Sequence, residues 1–174
     1  MNAQPPVSVH ALQTRLTLLE HEVQDRTLSD RFGRFYAPLA VLSVALAFMP
    51  ILETVHVREG FTVEFGTLWE MAARRGGGAA IMALLLVTAL ISLLVVASVR
   101  VRHAGLPASI VGAAALLLLM LWLKPGTGAY DPDLAPAGVA GVLVAVATIV
   151  IAAVHIVQLE QRQSELRAHW SEAR

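Results

Sequence analysis

The sequence predicts an all-α membrane protein, a bundle of four transmembrane helices with a small β-hairpin and a short helix in the first extracytoplasmic loop. Its 174 residues are 56% hydrophobic and only 15% charged, whereas a soluble domain carries roughly 25% charged residues. The charged residues lie at the chain ends and between long uncharged stretches. Each stretch is about long enough to cross the ~30 Å of a hydrocarbon core, where only a helix satisfies its own backbone polar groups.

Four uncharged apolar segments define a transmembrane domain predicted over residues 36–157. The segments are 36–52, 78–99, 106–123 and 137–157. Residues 1–35 are predicted to form a cytoplasmic amphipathic helix or tail, and 158–174 a cytoplasmic helical tail. Pro38, Pro107 and Pro136 lie in or just before the first turns of predicted spans, where the missing N–H costs no hydrogen bond. The first apolar segment starts far from Met1, so it is expected to remain as a span rather than to be cleaved as a signal peptide.

Arginine and lysine predict that both termini face the cytoplasm. In that orientation nine basic residues lie on the cytoplasmic side and four on the other, as the positive-inside rule favours. Residues 31–36 are predicted to form an aromatic and basic collar where the first span begins, and Trp122 is predicted at the opposite interface. Abundant arginine with a single lysine, Lys124, together with much alanine, valine and leucine, indicates the plasma membrane of a bacterium.

Two groups of apolar or small residues are candidate contacts with a partner. The N-terminal stripe has the 3, 4, 3, 4 spacing of heptad positions a and d, and comprises Val9, Leu12, Leu16, Leu19 and Val23. Because two heptads are marginal in water, the helix either lies against this protein or the lipid surface, or binds a partner or a second copy. A matching stripe in the C-terminal tail could also cover it. The second group is Ala137, Gly141 and Ala145, whose spacing lets helices approach closely, either inside the bundle or against another subunit.

The loop over residues 53–77 is predicted to contain the hairpin and the short helix. Residues 54–57 and 61–65 are rich in β-branched and aromatic side chains, and a three-residue loop at 58–60 would pair Val55 with Val63 and Val57 with Phe61. Residues 67–70 have the pattern of a capping box that opens a helix, with Gly76 as its C-terminal cap.

Four spans with a β-rich first outer loop resemble the claudin-type tetraspan group in outline. The stretch Gly66-Thr67-Leu68-Trp69 resembles that group's Gly-Leu-Trp signature but contains an additional threonine. The chain also has no cysteine, whereas that group carries a pair in this loop. Family membership is therefore not inferred.

The predicted spans contain few reactive side chains. They have no Asp, Glu, Lys or Arg, whereas the spans of catalytic and transporting membrane proteins usually contain ionisable residues. His155 is the single candidate for chemistry inside them, and a haem held with His103 is less favoured than an interfacial histidine bonded to a carbonyl or water. Two other groups are considered and also less favoured: a metal site from Glu53, His56 and Glu59, and a weak calcium site from Asp131 and Asp133. Nucleotide, hydrolase and metalloprotease motifs are absent. No catalytic, cofactor-binding or metal site is therefore predicted.

The expected function is that of a non-catalytic integral membrane protein, a small accessory subunit or an assembly or interaction factor of a larger membrane complex. Its expected partners are the lipid bilayer and other membrane subunits or further copies of itself, and nucleic acid is not among them. A transporter or channel component is the alternative. A membrane enzyme acting on lipid is less favoured; it would use Glu53, His56, Arg58, Arg74 or Arg75 at the outer interface.

Overall fold

The chain folds into five helices and one two-stranded sheet over the residues that a computed structural model describes, which are 9–58, 60–75, 78–99, 105–124, 127 and 130–172. The elements in chain order are α1 (Val9–Ala47), β1 (Val55–Arg58), β2 (Phe61–Val63), α2 (Leu68–Arg75), α3 (Gly78–Val99), α4 (Gly105–Leu123) and α5 (Pro136–Glu172). The structure is therefore mostly helical with a small sheet, as the sequence predicts.

Three of the helices are long and apolar enough to cross a membrane: α3, α4 and the part of α5 before Glu165. Their outward faces are as apolar as their packed faces. Large apolar side chains exposed on these faces include Leu85, Val96, Leu116, Trp122, Leu143 and Val150. Soluble proteins rarely expose so continuous an apolar surface, whereas contact with hydrocarbon carries no such cost. The three helices therefore support a membrane-embedded protein with transmembrane helices.

Helix α1 differs from the prediction at both of its ends. It runs without interruption from Val9 to Ala47 and contains Pro38 in its interior, so the prediction that Pro38 lies in a first turn is wrong. Pro107 and Pro136 do lie in the first turns of α4 and α5. The apolar part of α1, residues 36–47, rises only about 18 Å at 1.5 Å per residue, and it is not among the three helices that meet the length and composition of a span.

The four long helices pack in a ring, in which α1 and α4 each contact both α3 and α5. The main core cluster draws on all four helices and includes Tyr36, Leu94, Ile110 and Ala152. Helix α1 lies very close to α3 at Gly33, where a Cβ atom would lie 2.7 Å from the carbonyl oxygen of Ser98. A side chain at this position is therefore excluded unless the helices separate.

The hairpin has most of the predicted register. Val55 pairs with Val63, as predicted, and His56 pairs with Thr62. Arg58 rather than Val57 pairs with Phe61, because the first strand bulges between His56 and Arg58. Gly60 has a φ of 87°, the left-handed region that a hairpin turn favours for glycine.

Main-chain hydrogen bonds join the two connections at this end of the bundle. The Glu53 N–H donates to the Asp133 carbonyl at 2.9 Å, and the Ala135 N–H donates to the Ile51 carbonyl at 3.0 Å. Below this short antiparallel pairing, Leu52, Phe65, Met71 and Ala80 form a compact apolar cluster. The connection that contains the hairpin is thus anchored to the start of α5.

Helix α2 opens with the predicted capping box. The backbone N–H of Thr67 donates to a Glu70 carboxylate oxygen at 3.0 Å, and the N–H of Glu70 donates to the Thr67 hydroxyl at 3.3 Å. This reciprocal pair satisfies amide groups at the helix start that lack intrahelical partners. The predicted cap at Gly76 lies outside the described residues.

Candidate functional site

The N-terminal part of α1, residues 9–31, continues as a helix past the packed bundle and is here named the α1 extension. The first buried side chain of α1 among those described is Phe32. Three members of the N-terminal stripe are largely exposed, with Leu16 at 58%, Leu19 at 59% and Val23 at 61%; the side chains of Val9 and Leu12 are outside the description. The stripe therefore has an uncovered apolar face over the residues that can be assessed.

Helix α5 leaves the bundle at the same end but does not cover this stripe. It runs to Glu172, and its residues Glu160, Gln161 and Gln163 are themselves exposed. Leu159 packs against the main core of the bundle. The expectation that the two tails cover each other is therefore not met at Leu16, Leu19 and Val23.

His155 lies at the junction between the bundle and the α1 extension. Its ring is completely buried and stacks on Phe32, with ring centroids 4.0 Å apart and an angle of 1° between the ring planes. A hydrogen bond of 3.0 Å joins Nδ1 and the Tyr36 hydroxyl. With the phenol as donor, Nε2 carries the ring proton. Nε2 is buried and has no hydrogen-bond partner among the described residues. The cluster therefore joins α1 to α5 by a polar contact within apolar surroundings.

Four hydroxyl groups of the predicted spans form hydrogen bonds inside their own helices. Thr88, Ser92, Ser109 and Thr148 each donate to the carbonyl four residues earlier, at 2.7 to 2.9 Å. This is the common way in which an apolar helix accommodates serine and threonine. These four groups give no sign of a polar pathway through the bundle.

The small-residue group Ala137, Gly141 and Ala145 faces the interior of the bundle. All three residues line a narrow apolar cavity of about 50 Å³ that is bounded by α1, α3, α4 and α5. Ser43 is its one hydroxyl side chain, and such apolar cavities remain dry unless several polar groups can hold a water. Their position fits packing within the chain, and contact with a partner through these residues stays a prediction.

The opposite end of the molecule contains an open cleft of about 550 Å³ between the hairpin, α2 and the start of α5. Glu53, Glu64 and Glu70 line it, and Glu70 is occupied in the capping box. Within the described part of the chain, no group of three or more His, Asp or Glu side chains could hold a metal ion. Glu59 of the considered metal site lies outside the described residues.

The remaining residues considered for ligand binding have structural contacts or lie outside the description. The side chain of Asp131 pairs with the ammonium group of Lys124, and the carbonyl of Asp133 accepts the bond that joins the two loops. His103, considered with His155 for haem, is outside the described residues. In the part of the chain that the structure describes, these side chains do not converge on a common point.

Sequence reasoning missed the partners of His155. Phe32 and Tyr36 are predicted as parts of an interfacial collar, but they are 6% and 0% exposed and form the pocket for the imidazole, while Arg31, Arg34 and Phe35 are exposed. A signal was available, because Phe32, Tyr36, Leu39, Ala40, Ser43 and Ala47 recur at the 3.6-residue period of one helix face.

These features define a helical membrane-embedded protein whose packed bundle carries a protruding helix with an exposed apolar stripe. Comparisons with known protein families, curated proteins and solved structures find no match for this chain.

Proposed function

We propose that the chain is a non-catalytic integral membrane protein that serves as a small accessory subunit, or an assembly or interaction factor, of a larger membrane complex. The observation that carries this proposal is the exposed N-terminal stripe on the α1 extension. Each of its three described members exposes more than half of its surface. A row of such side chains on a rigid helix is the usual mark of a surface that is covered in an assembly.

We further propose that α1 is a fourth span, with both termini in the cytoplasm. The segment after Tyr36 packs beside α3 and α5 and exposes Val41, Leu42 and Val44 on its other side, as the three apolar helices do. The chain after Ala47 adds the exposed apolar residues Phe48 and Met49 toward the outer interface. This extra length compensates for the short helical part.

Aromatic residues at the loop-bearing end fit the proposed outer interface. Phe48 stacks on Trp69 with ring centroids 5.9 Å apart, and Trp122 is 77% exposed at the end of α4. Exposed tryptophan and phenylalanine at one level of a bundle are typical of a membrane boundary. With nine basic residues on the other side, the orientation proposed is N-in and C-in, in a bacterial plasma membrane.

The polar groups inside the bundle support a structural rather than a catalytic role. His155 has one ring nitrogen bonded to Tyr36 and its face covered by Phe32, so a substrate cannot reach it without opening the α1–α5 contact. The hydroxyl groups of Thr88 and Thr148 are likewise engaged in hydrogen bonds within their own helices.

Affinity purification from native membranes in a mild detergent tests the proposal. The wild-type chain is expected to recover other membrane proteins in a fixed ratio, and Leu16→Asp, which puts a charge in the stripe, is expected to lose them. His21→Asp is the matched control, because heptad position f lies opposite the stripe on the same helix. Recovery of the wild-type chain with no other protein would refute the role as a subunit of a larger complex.

A further inference from the structure

We propose that the α1 extension binds the same segment of a second copy of this chain, forming a parallel two-stranded coiled coil beside the membrane. The proposal rests on the proposed function and deepens it: a second copy occupies the exposed N-terminal stripe, and the other subunits of the complex bind the paired form, so Leu16→Asp loses them by breaking the pair. Four observations carry it: the continuity of α1, the identity of the residues at positions a and d, the charges at e and g, and the constraint imposed by a shared membrane.

The continuity of α1 excludes the lipid surface as the occupant. The α1 extension is the same uninterrupted helix as the segment packed in the bundle, and Pro38 bends a helix without turning it into the membrane plane. A helix held upright by α3 and α5 cannot lay its N-terminal half flat on the headgroups. The tail of α5 does not cover Leu16, Leu19 or Val23 either, so the partner comes from outside this copy.

The residues in the stripe select a two-stranded arrangement. The 3, 4, 3, 4 spacing admits one heptad assignment, with Val9, Leu16 and Val23 at position a and Leu12 and Leu19 at position d. Two of the three a positions, Val9 and Val23, are β-branched, the central one is Leu16, and both d positions are leucine. β-Branched residues at a with leucine at d favour parallel dimers over trimers and tetramers.

Charge complementarity selects the same partner and the same direction. In a parallel pair, position g of one helix meets position e of the next heptad in the other helix. Here position g is Arg15 and the corresponding position e is Glu20, while the next such pair is Glu22 with Thr27. The twofold symmetry of the dimer forms the Arg15–Glu20 pair twice. Neither the Arg15–Glu20 contact nor the Glu22–Thr27 contact brings like charges together.

The membrane supplies the direction and lowers the cost of association. Two copies inserted with the same orientation present their α1 extensions on the same side and pointing the same way. Two heptads are marginal for helices free in water, but confinement to a plane raises the effective concentration of one extension around another. The short length of the stripe is therefore compatible with a stable pair.

Disulfide cross-linking in native membranes tests this arrangement. Because the chain contains no cysteine, any disulfide between two copies must join the single cysteine introduced into each. Leu19→Cys places a thiol at position d, where facing Cα atoms come within the roughly 7 Å that a disulfide requires. His21→Cys, at position f on the outside of the pair, is the matched control. Copper-catalysed oxidation is expected to give roughly tenfold more dimer for Leu19→Cys than for His21→Cys.

Charge exchange in the Leu19→Cys chain tests the register. Arg15→Glu places two acidic residues at each g–e contact and is expected to lower the cross-linked fraction roughly two- to fivefold, and adding Glu20→Arg is expected to restore it. Equal cross-linking at positions 19 and 21, no dimer at either position, or a cross-link from position 19 to a different protein would each overturn the proposal. A dimer that forms while no other protein co-purifies would leave this inference standing and remove the proposed role in a larger complex.

Discussion

The tight contact between α1 and α3 at Gly33 leads to the sharpest prediction, that Gly33→Ala destabilises the protein. The added Cβ would lie 2.7 Å from the carbonyl oxygen of Ser98, closer than real Cβ contacts. Because the obstacle is backbone rather than a flexible side chain, the helices must move apart by several tenths of an ångström. Ser98 lies in the last turn of α3, where that movement also disturbs the packing of Phe32 and Tyr36 on α5.

Two opposing effects set the magnitude. Overpacking of this kind costs about 1–3 kcal/mol, while alanine is favoured over glycine in a helix interior by about 0.5–1 kcal/mol. The net loss expected for Gly33→Ala is therefore about 0.5–2 kcal/mol. For a chain of this length, 1 kcal/mol corresponds to roughly 2–4 °C in the melting temperature, so the expected fall is about 1–8 °C.

Gly112→Ala is the matched control for helix propensity. Gly112 lies inside α4, and a Cβ there would meet nothing within 4 Å. This variant is expected to keep the propensity gain and to melt at or above the wild-type temperature. Thermal unfolding of both variants in the same detergent, followed by circular dichroism at 222 nm, gives the comparison. A Gly33→Ala variant as stable as Gly112→Ala would show that α1 and α3 are not in contact at Gly33.

Three further predictions concern local contacts. Tyr36→Phe leaves both ring nitrogens of buried His155 unpaired and is expected to cost about 1–3 kcal/mol in thermal unfolding, whereas adding His155→Leu should recover most of that loss; a double variant as unstable as the sum of the two singles would contradict this. Thr67→Val removes one half of the capping box and is expected to cost about 1 kcal/mol, seen as faster amide hydrogen exchange in α2 with no change in α3. Lys124 has a φ of 46°, so Lys124→Gly should relieve roughly 1 kcal/mol of backbone strain, and Asp131→Asn measures separately the exposed ion pair that is lost, worth about 0.2–1 kcal/mol. A Lys124→Gly variant that melts below Asp131→Asn would contradict the strain argument.

The apolar helices could be predicted from sequence because membrane spans impose strong local requirements. The predicted segments 78–99, 106–123 and 137–157 agree closely with the bounds of α3, α4 and the apolar part of α5. The capping box at Thr67 and the pairing of Val55 with Val63 also follow from neighbouring residues alone. The bulge that moves Arg58 opposite Phe61 does not, since one extra residue in a strand leaves no pattern in so short a hairpin.

The boundaries of α1 were harder to predict because tertiary packing overrides the local signals. A proline and a change from polar to apolar composition near residue 36 both favour a break. The structure instead has one helix through Pro38, because contacts before and after the proline hold the segment in line. Phe32 and Tyr36 precede it and bind His155, and Leu39 follows it in the same core cluster.

The position of His155 is equally a tertiary result. A histidine near the end of an apolar segment has the composition of an interfacial residue, and only the approach of α1 decides that it is buried. Its partner Tyr36 is 119 positions away in the chain. No spacing rule joins two residues that far apart, so the polar contact that fixes α1 to α5 could not be derived from the sequence.

Two contacts inside the bundle, Gly33 with α3 and the Phe32–His155–Tyr36 cluster, determine how the N-terminal stripe is presented outside it. Gly33 lets α1 approach α3, and the Phe32–His155–Tyr36 cluster holds α1 against α5, so the helix is fixed from two directions within about one turn. The α1 extension ends at residue 31, immediately before these contacts, and continues the axis of the helix that they hold in place. A helix so held presents the N-terminal stripe at a defined angle with little loss of orientational freedom on binding, which favours association. Loosening either contact should therefore weaken cross-linking at position 19 even though neither contact touches the stripe.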